Sequence, residues 1–329
     1  NKKITNDFSK GNYRENFKDL VKIYKLDNNS EVANKIGVIL IKLSKKKFAK
    51  KFFEISIKKN KKNFKPYFNL ANLFSTTDKK ISEKYIDLAL EIDNKPDAII
   101  LKSHLLINKY KYDEAIKLLN GLNSSESLFL LGSSYLGLGH DEKGKYYLNE
   151  SLKYKNLKID FLNLNTFPRI YQNTKDIFYF RKRFERIIND ISKSIEQINI
   201  PFEERVNILT SKTNFNLSYQ QKNDFELNKK YQELCQKILN FKNSETNFDN
   251  NKILFISGFF YKHTVSKLFF NFIEELSLQK NLEINLLHLS NKDDEWTEMY
   301  RQLDIKFFRN TNTLKILNFL KEQKFKSIF

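Results

Sequence analysis

Cysteine is almost missing from this 329-residue chain, with Cys235 standing alone. A single thiol closes no intramolecular disulfide, so the fold must be held by its core, and a reducing cytoplasm is the expected setting. No run of eighteen apolar residues occurs, and Asn1, Lys2 and Lys3 open the chain without the apolar stretch of a signal peptide. Neither a membrane span nor a cleaved leader is therefore expected. The four histidines and one cysteine are scattered, with no zinc-ligand spacing. Neither a Gly-rich dinucleotide fingerprint nor a Walker A sequence is present. Glycine and proline are scarce, at eight and four residues.

What is abundant is lysine, which supplies most of a formal net charge of +19. Asn, Ile and Phe are frequent too, so the charge reads as drift in composition along the whole chain, with lysines on solvated helix faces. Nucleic-acid binders favour arginine for bidentate contacts and stacking, so no nucleic-acid partner is expected. A hydrophobic content of 40% with 14% aromatics supplies a buried core, and the length allows two or three domains.

Self-similarity organises the first half. Gly37 and Leu40 are followed by Ala49 and Phe53, the small-large, small-large order of a tetratricopeptide repeat, and Ala71 with Phe74 follows Gly37 at 34 residues. Ser103 and Leu106 with Ala115 and Leu119 form a third unit, and Gly132, Tyr135, Gly139, Gly144 and Leu148 a fourth, from Ser125 to Asn156. A second helix of an earlier repeat is expected around Tyr13 to Tyr24. Antiparallel helices approach closely where small side chains face bulky ones, and a single pair cannot bury its apolar face, so the units must stack. Residues 1–157 are thus read as a helical array, which is expected to extend further toward the N-terminus in the natural protein. His104 and His140 read as packing or turn residues within it.

From 158 to 247 the period is lost but helical patterning continues. Phe178, Arg181, Phe184, Ile187, Ile188 and Ile191 predict one amphipathic helix. Pro201 marks a helix start before Phe202. A further helix is expected over Asp224 to Leu239, capped by Asp224, and Asn243 to Asn251 read as a linker. At Lys252 the period switches. Apolar runs KILFISGFF and LEINLLHLS, a short strand at Asp304 to Phe308 and a closing FKSIF alternate with helices from His263 or Thr264 to Leu278, Glu295 to Leu303 and Thr311 to Gln323. This alternation predicts a parallel, doubly wound sheet over 248–329 with too few strands to be whole. Such sheets carry ligands at the carboxyl ends of their strands, which puts Ser257 through His263 on the functional rim.

The segment ISGFFYKHTVSKLFFNFIEEL resembles the opening strand, loop and helix of the catalytic region in the protein O-GlcNAc transferase family, which includes bacterial members with tetratricopeptide arrays. The family's loop carries an Asp-Phe-x-x-His-like motif. Phe259, Phe260, Tyr261, Lys262 and His263 stand there, with the histidine kept and Phe259 in the acidic position. Two further stretches are similar to segments ahead of that domain: TNFNLSYQQKNDFELNKKY, and FPRIYQNTKDIFYFRKRFERII around Pro168, Tyr171, Arg181 and Phe184.

The resemblance implies the first Rossmann-like half of a GT-B fold behind a tetratricopeptide solenoid. The implied activity is metal-independent, inverting transfer of a sugar, GlcNAc from UDP-GlcNAc, to Ser or Thr of acceptor proteins recruited by the array. No cofactor is implied beyond the UDP-sugar donor, whose diphosphate site is expected beyond Phe329.

His263 is the candidate catalytic residue, as base or as hydrogen-bonding positioner. Gly258, Phe260, Tyr261, Lys262 and Thr264 are the candidate substrate contacts, although Lys262 and Ser266 also read as solvated. Asp293, Asp294 and Glu295 read as a loop and helix start rather than a metal cluster, His288 as a satisfied core residue and Cys235 as packing. The alternative is a non-catalytic tetratricopeptide adaptor with a vestigial transferase-like domain; an oligomer is compatible with either.

Overall fold

The computed structural model describes residues 13–240, 249–323 and 325–329. It divides into two compact units: Asn1–Ile191 with Lys212–Asp224, and Ser192–Ser211 with Phe225–Phe329. The connector expected at 158–247 is therefore shared between the two.

The first unit is helical. After α1 (Tyr13–Leu26), four antiparallel pairs follow: α2 (Ser30–Lys42) with α3 (Lys46–Lys59), α4 (Phe64–Phe74) with α5 (Lys79–Ile92), α6 (Pro96–Ile107) with α7 (Tyr112–Leu119), and α8 (Ser125–Gly137) with α9 (Asp141–Leu152). Helix starts are set by local chemistry. Asn29, Asn63 and Asp78 accept backbone N–H groups of the first turn, Pro96 sits at the start of α6, and Ser124 forms a reciprocal capping box with Ser127.

The small-large code acts where two helices of a pair touch. A methyl group added at Gly37 would lie 2.4 Å from the Phe53 ring, and one at Gly132 would lie 2.7 Å from Leu148. Phe53 and Leu148 are both fully buried, so the glycines are the space their partners fill. Gly139, at φ +77°, turns the chain between α8 and α9.

Helices α10 (Leu157–Leu164) and α11 (Thr174–Ser194) continue this unit. The buried stripe of α11 is Phe180, Arg183, Phe184, Ile187, Ile188 and Ile191. Its N-terminal end thus departs from the expected face: Phe178 is exposed, and Arg181 pairs with Asp224 at 2.5 Å. Asp224, expected as a helix cap, stands directly before the helix that starts at Phe225, and its Oδ1 takes the Arg181 pair as well. Arg183 is buried and donates to the carbonyls of Asn163, in the last turn of α10, and Thr166, just beyond it, where the negative end of the helix dipole favours a cation. Burial pushes Arg183 down to about 10 and Lys212, which donates to Thr166 Oγ1, down to about 8.

The second unit holds α12 (Phe202–Leu209), preceded by Pro201, and α13 (Phe225–Leu239). Its parallel sheet alternates β1 (Asp249–Ser257), α14 (Thr264–Ser277), β2 (Glu283–His288), α15 (Glu295–Gln302), β3 (Lys306–Arg309), α16 (Thr313–Glu322) and β4 (Phe325–Ile328). Strand order is β3-β2-β1-β4, all pairs parallel. Most of the expected linker, 243–248, lies outside the described residues, while Asp249 to Asn251 already belong to β1.

Alternation along β1 sorts its side chains to two faces. Phe255 packs with Phe270, Ile273, Ile284, Leu286 and Tyr300 on the α14 and α15 side, and Leu254 with Leu287, Phe325 and Phe319 on the α16 side. Cys235 on α13 is half-buried, and burial pushes its thiol up to about 11, so it carries no thiolate reactivity at neutral pH.

Candidate functional site

The chain runs β1 to β2 to β3 on one side of the sheet and then returns to place β4 on the other side of β1. The direction of winding reverses between β1 and β4, which makes the carboxyl end of β1 the switch point at which sheets of this order carry ligands. Ser257, His288 and Arg309 form one row across this edge, paired in register.

Beyond Ser257 the loop 258–263 leads into α14. His263 is the N-cap of that helix: its Nδ1 accepts the backbone N–H of Val265 at 3.2 Å, with extended backbone angles. An imidazole nitrogen that accepts is unprotonated, so in the neutral ring this bond puts the proton on Nε2. The ring therefore presents an N–H donor on its free edge. It stacks on Phe259, centroids 4.3 Å apart at 19°, with the Tyr261 ring at 6.0 Å. Phe259 is 43% exposed, and its ring lies beside the histidine where the resemblance would put a carboxylate.

The remaining candidates separate into two sets. Gly258, Tyr261, Lys262 and Thr264 are exposed or half-buried along the loop. Phe260 turns inward, 3% exposed, against Tyr300 and His288, so its ring is core. Gly258 has no positive φ, and an added methyl would meet nothing within 4 Å. The backbone there does not require glycine, and what Gly258 leaves is open space beside the strand end. Lys262 pairs with Glu295 at 3.1 Å, and its backbone N–H donates to Asp294 at 2.6 Å. Ser266 is not solvated as expected but fully buried, donating to the carbonyl of Phe259 at 2.8 Å.

The acidic run is fully engaged. Asp294 caps α15 through a reciprocal capping box with Thr297. The Arg309 guanidinium, with Arg301, holds Asp293 well below the usual carboxylate range. His288 is fully buried, with Nδ1 3.3 Å from the Ser257 carbonyl and Nε2 3.1 Å from that of Lys292. It is a core histidine as expected, and it also joins the loop after β2 to the end of β1. Lys292 reaches 4.8 Å over Tyr261; sequence spacing gives no sign of that pairing, because the two residues meet only when β1 and β2 lie in register. In the array, His104 pairs with Glu126 at 3.0 Å, and exposed His140 precedes α9.

No family model matches the chain, and no curated protein matches it. Solved structures similar to it include two crystal structures of MamA, at 17% and 16% identity with TM-scores of 0.40 and 0.41, each covering 46% of this chain and 87% and 92% of its own. Another is a mutant of the Thermobaculum terrenum O-GlcNAc transferase, at 13% identity and a TM-score of 0.47, over 80% of this chain and 45% of that one. Likeness at this level does not bear on activity. Among the described residues no helix is long and apolar enough to cross a membrane.

Proposed function

We propose that this chain is the array and first nucleotide-fold half of a protein O-glycosyltransferase, moving a sugar from a UDP-sugar, GlcNAc by resemblance, onto Ser or Thr of proteins recruited by the helical repeats. The reading is supported by a parallel β3-β2-β1-β4 sheet flanked by helices on both faces, which is the order of a Rossmann-like half. The observation that carries it is His263, which caps α14 through Nδ1 at the end of the loop that leaves the carboxyl end of β1, so that Nε2 is left for a ligand.

In inverting transfer the acceptor oxygen bonds to the anomeric carbon as the bond to the diphosphate breaks, and the hydroxyl proton leaves to a base. With Nδ1 committed to the helix cap, His263 offers Nε2–H as a donor. Of the two roles expected for it, positioning an acceptor or sugar oxygen fits the cap, whereas acting as base at Nε2 requires a lone pair there. The Tyr261 ring lies 6.0 Å from that of His263, and Thr264 follows it as the first residue of α14.

The test is UDP release from a panel of UDP-sugars by the protein of the complete reading frame, with and without a Ser/Thr acceptor peptide. Acceptor-dependent release with one sugar preferred is the expected result. Partner capture by the array without release from any UDP-sugar replaces this reading with the adaptor, which the repeat architecture fits equally well.

A further inference from the structure

The array carries a feature that sugar transfer leaves unused. A cavity of about 810 Å³ opens where the N-termini of α2 and α4 and the C-terminus of α3 meet. Its lining contains Lys59, Lys62, Lys65 and Lys95 against a single carboxylate, Glu31. Asn29 and Asn63, the caps of the 13-residue α2 and the 11-residue α4, line it as well, so the positive ends of two helix dipoles add to the lysines.

These lysines differ from those on the helix exteriors. Lys50, Lys111, Lys145 and Lys153 each have a glutamate three or four residues away along the helix. Lys59 and Lys62 have no carboxylate within ion-pair reach among the described residues, Lys65 reaches only Glu31, at 3.9 Å, which Lys35 approaches more closely at 3.4 Å, and Lys95 alone has a carboxylate of its own, Asp93 at 3.3 Å. Like charges gathered with less counter-charge than they need repel one another, and an arriving anion relieves that repulsion.

We propose that this groove binds acidic segments of partner proteins, with Lys59, Lys62 and Lys65 receiving carboxylates and Lys95, paired with Asp93, adding charge at the rim. Protein is favoured over nucleic acid by the aromatic lining. Phe64, the one aromatic residue there, stacks on Phe68 at 5.6 Å and lies under Lys95 at 5.2 Å. Its ring faces are taken, so no platform is left for a base. No arginine lines the groove either.

The inference rests on the reading that the array recruits proteins, and it is independent of catalysis. Anisotropy of a fluorescein-labelled peptide alternating Glu and Ser is followed in the full chain without any sugar donor, beside its Gln-for-Glu counterpart. Expected are saturable binding of the Glu peptide alone and weakening of at least about 10-fold in a Lys59→Glu, Lys62→Glu double variant. A Lys59→Gln, Lys62→Gln variant is expected to fall between, and binding is expected to weaken as salt rises from about 50 to 300 mM.

All four substitutions are on exposed side chains, and unchanged circular dichroism establishes the fold. Equal affinity for both peptides, or unchanged binding in the double variant, overturns the proposal. Displacement of the peptide by an equally charged oligonucleotide at lower concentration overturns it in favour of nucleic acid. A chain that binds the Glu peptide but releases no UDP keeps this inference while losing the transferase reading, and the converse result does the opposite.

Discussion

Replacing His263 by asparagine and by alanine separates two jobs done by one ring. The cap bond from Val265 N–H to Nδ1, at 3.2 Å, holds the start of α14, and loss of such a cap costs about 1 kcal/mol. The parallel stack on Phe259 at 4.3 Å contributes about 1 kcal/mol more. Alanine removes both, for about 2 kcal/mol. Asparagine, among the strongest caps, restores the first and loses only the second. At about 2 to 4 °C per kcal/mol, the alanine variant should melt roughly 4 to 8 °C below the parent in the sheet unit, and the asparagine variant about half as far below.

Transfer should follow a different order. The asparagine NH₂ ends about 1 Å short of the Nε2 position, and a misplacement of that size costs on the order of 10² in rate. Both variants should therefore lose about 10²-fold in UDP release despite unequal stability. Differential scanning of unfolding beside UDP release in the complete protein reads both quantities. Full turnover in the asparagine variant with loss in the alanine variant would refute the reasoning, because His263 would then act only as a cap.

Asp160 provides a pH test. Burial, with Asp190 nearby, pushes its carboxyl up to about 7 from an ordinary 3.8, and its Oδ1 has no hydrogen-bond partner. The folded state holds a proton that the unfolded state releases, so this group costs stability progressively from about pH 4 to 7. Asp160→Asn should match the parent near pH 4 and exceed it by roughly 2 kcal/mol near pH 8, after allowance for partial solvent screening; parallel stability curves across that range would contradict the assignment. Gly37→Ala drives a methyl to 2.4 Å from the Phe53 ring, and overpacking of about 1 to 3 kcal/mol outweighs a helix-propensity gain of about 1. Gly258→Ala, with nothing within 4 Å, should be neutral or slightly stabilising; denaturant midpoints decide both. His288→Phe strips the buried bond to the Lys292 carbonyl, at about 1 to 3 kcal/mol, and should speed amide exchange at residues 289–294 while leaving that of the array unchanged.

The repeats were legible because the rule behind them is steric and local: Gly37 with Phe53 and Gly132 with Leu148 read as pairs in one dimension and meet as pairs in three. The strand-helix alternation was legible for the same reason, with β2, α15 and α16 found within two residues of the expected bounds. Long-range pairing was not legible. The Arg181 partner of Asp224, 43 residues away, has no sign in the sequence, and Phe178 reads as core until the stripe is seen to run through Phe180 and Arg183. The short strand expected at Asp304 to Phe308 forms at Lys306–Arg309, two residues later at its start and one at its end, with Asn285 of β2 opposite Lys306. On the rim, residue type marked Phe260 and Tyr261 alike, and only packing separates the core ring from the half-buried one.

A loop of six residues can aim a side chain only if something else holds its backbone, and here the holding groups all come from the sheet unit itself. Ser266 on α14 donates to the carbonyl of Phe259, Thr297 on α15 donates to that of Phe260 at 2.8 Å, and Asp294 accepts the N–H of Lys262. His288 on β2 adds its contact with Ser257. These contacts reach backbone atoms from Ser257 to Lys262 and leave the His263 ring edge outside the network, which is the division of labour a preorganised site requires. Thr297→Val tests this directly: it preserves shape but removes the donor to Phe260 and half of the α15 capping box. If the network aims His263, UDP release should fall by about 10-fold or more while the array's stability stays unchanged. Unaltered release with a loosened loop, seen as faster exchange at Phe259 to His263, would show that the rim's geometry does not govern the chemistry.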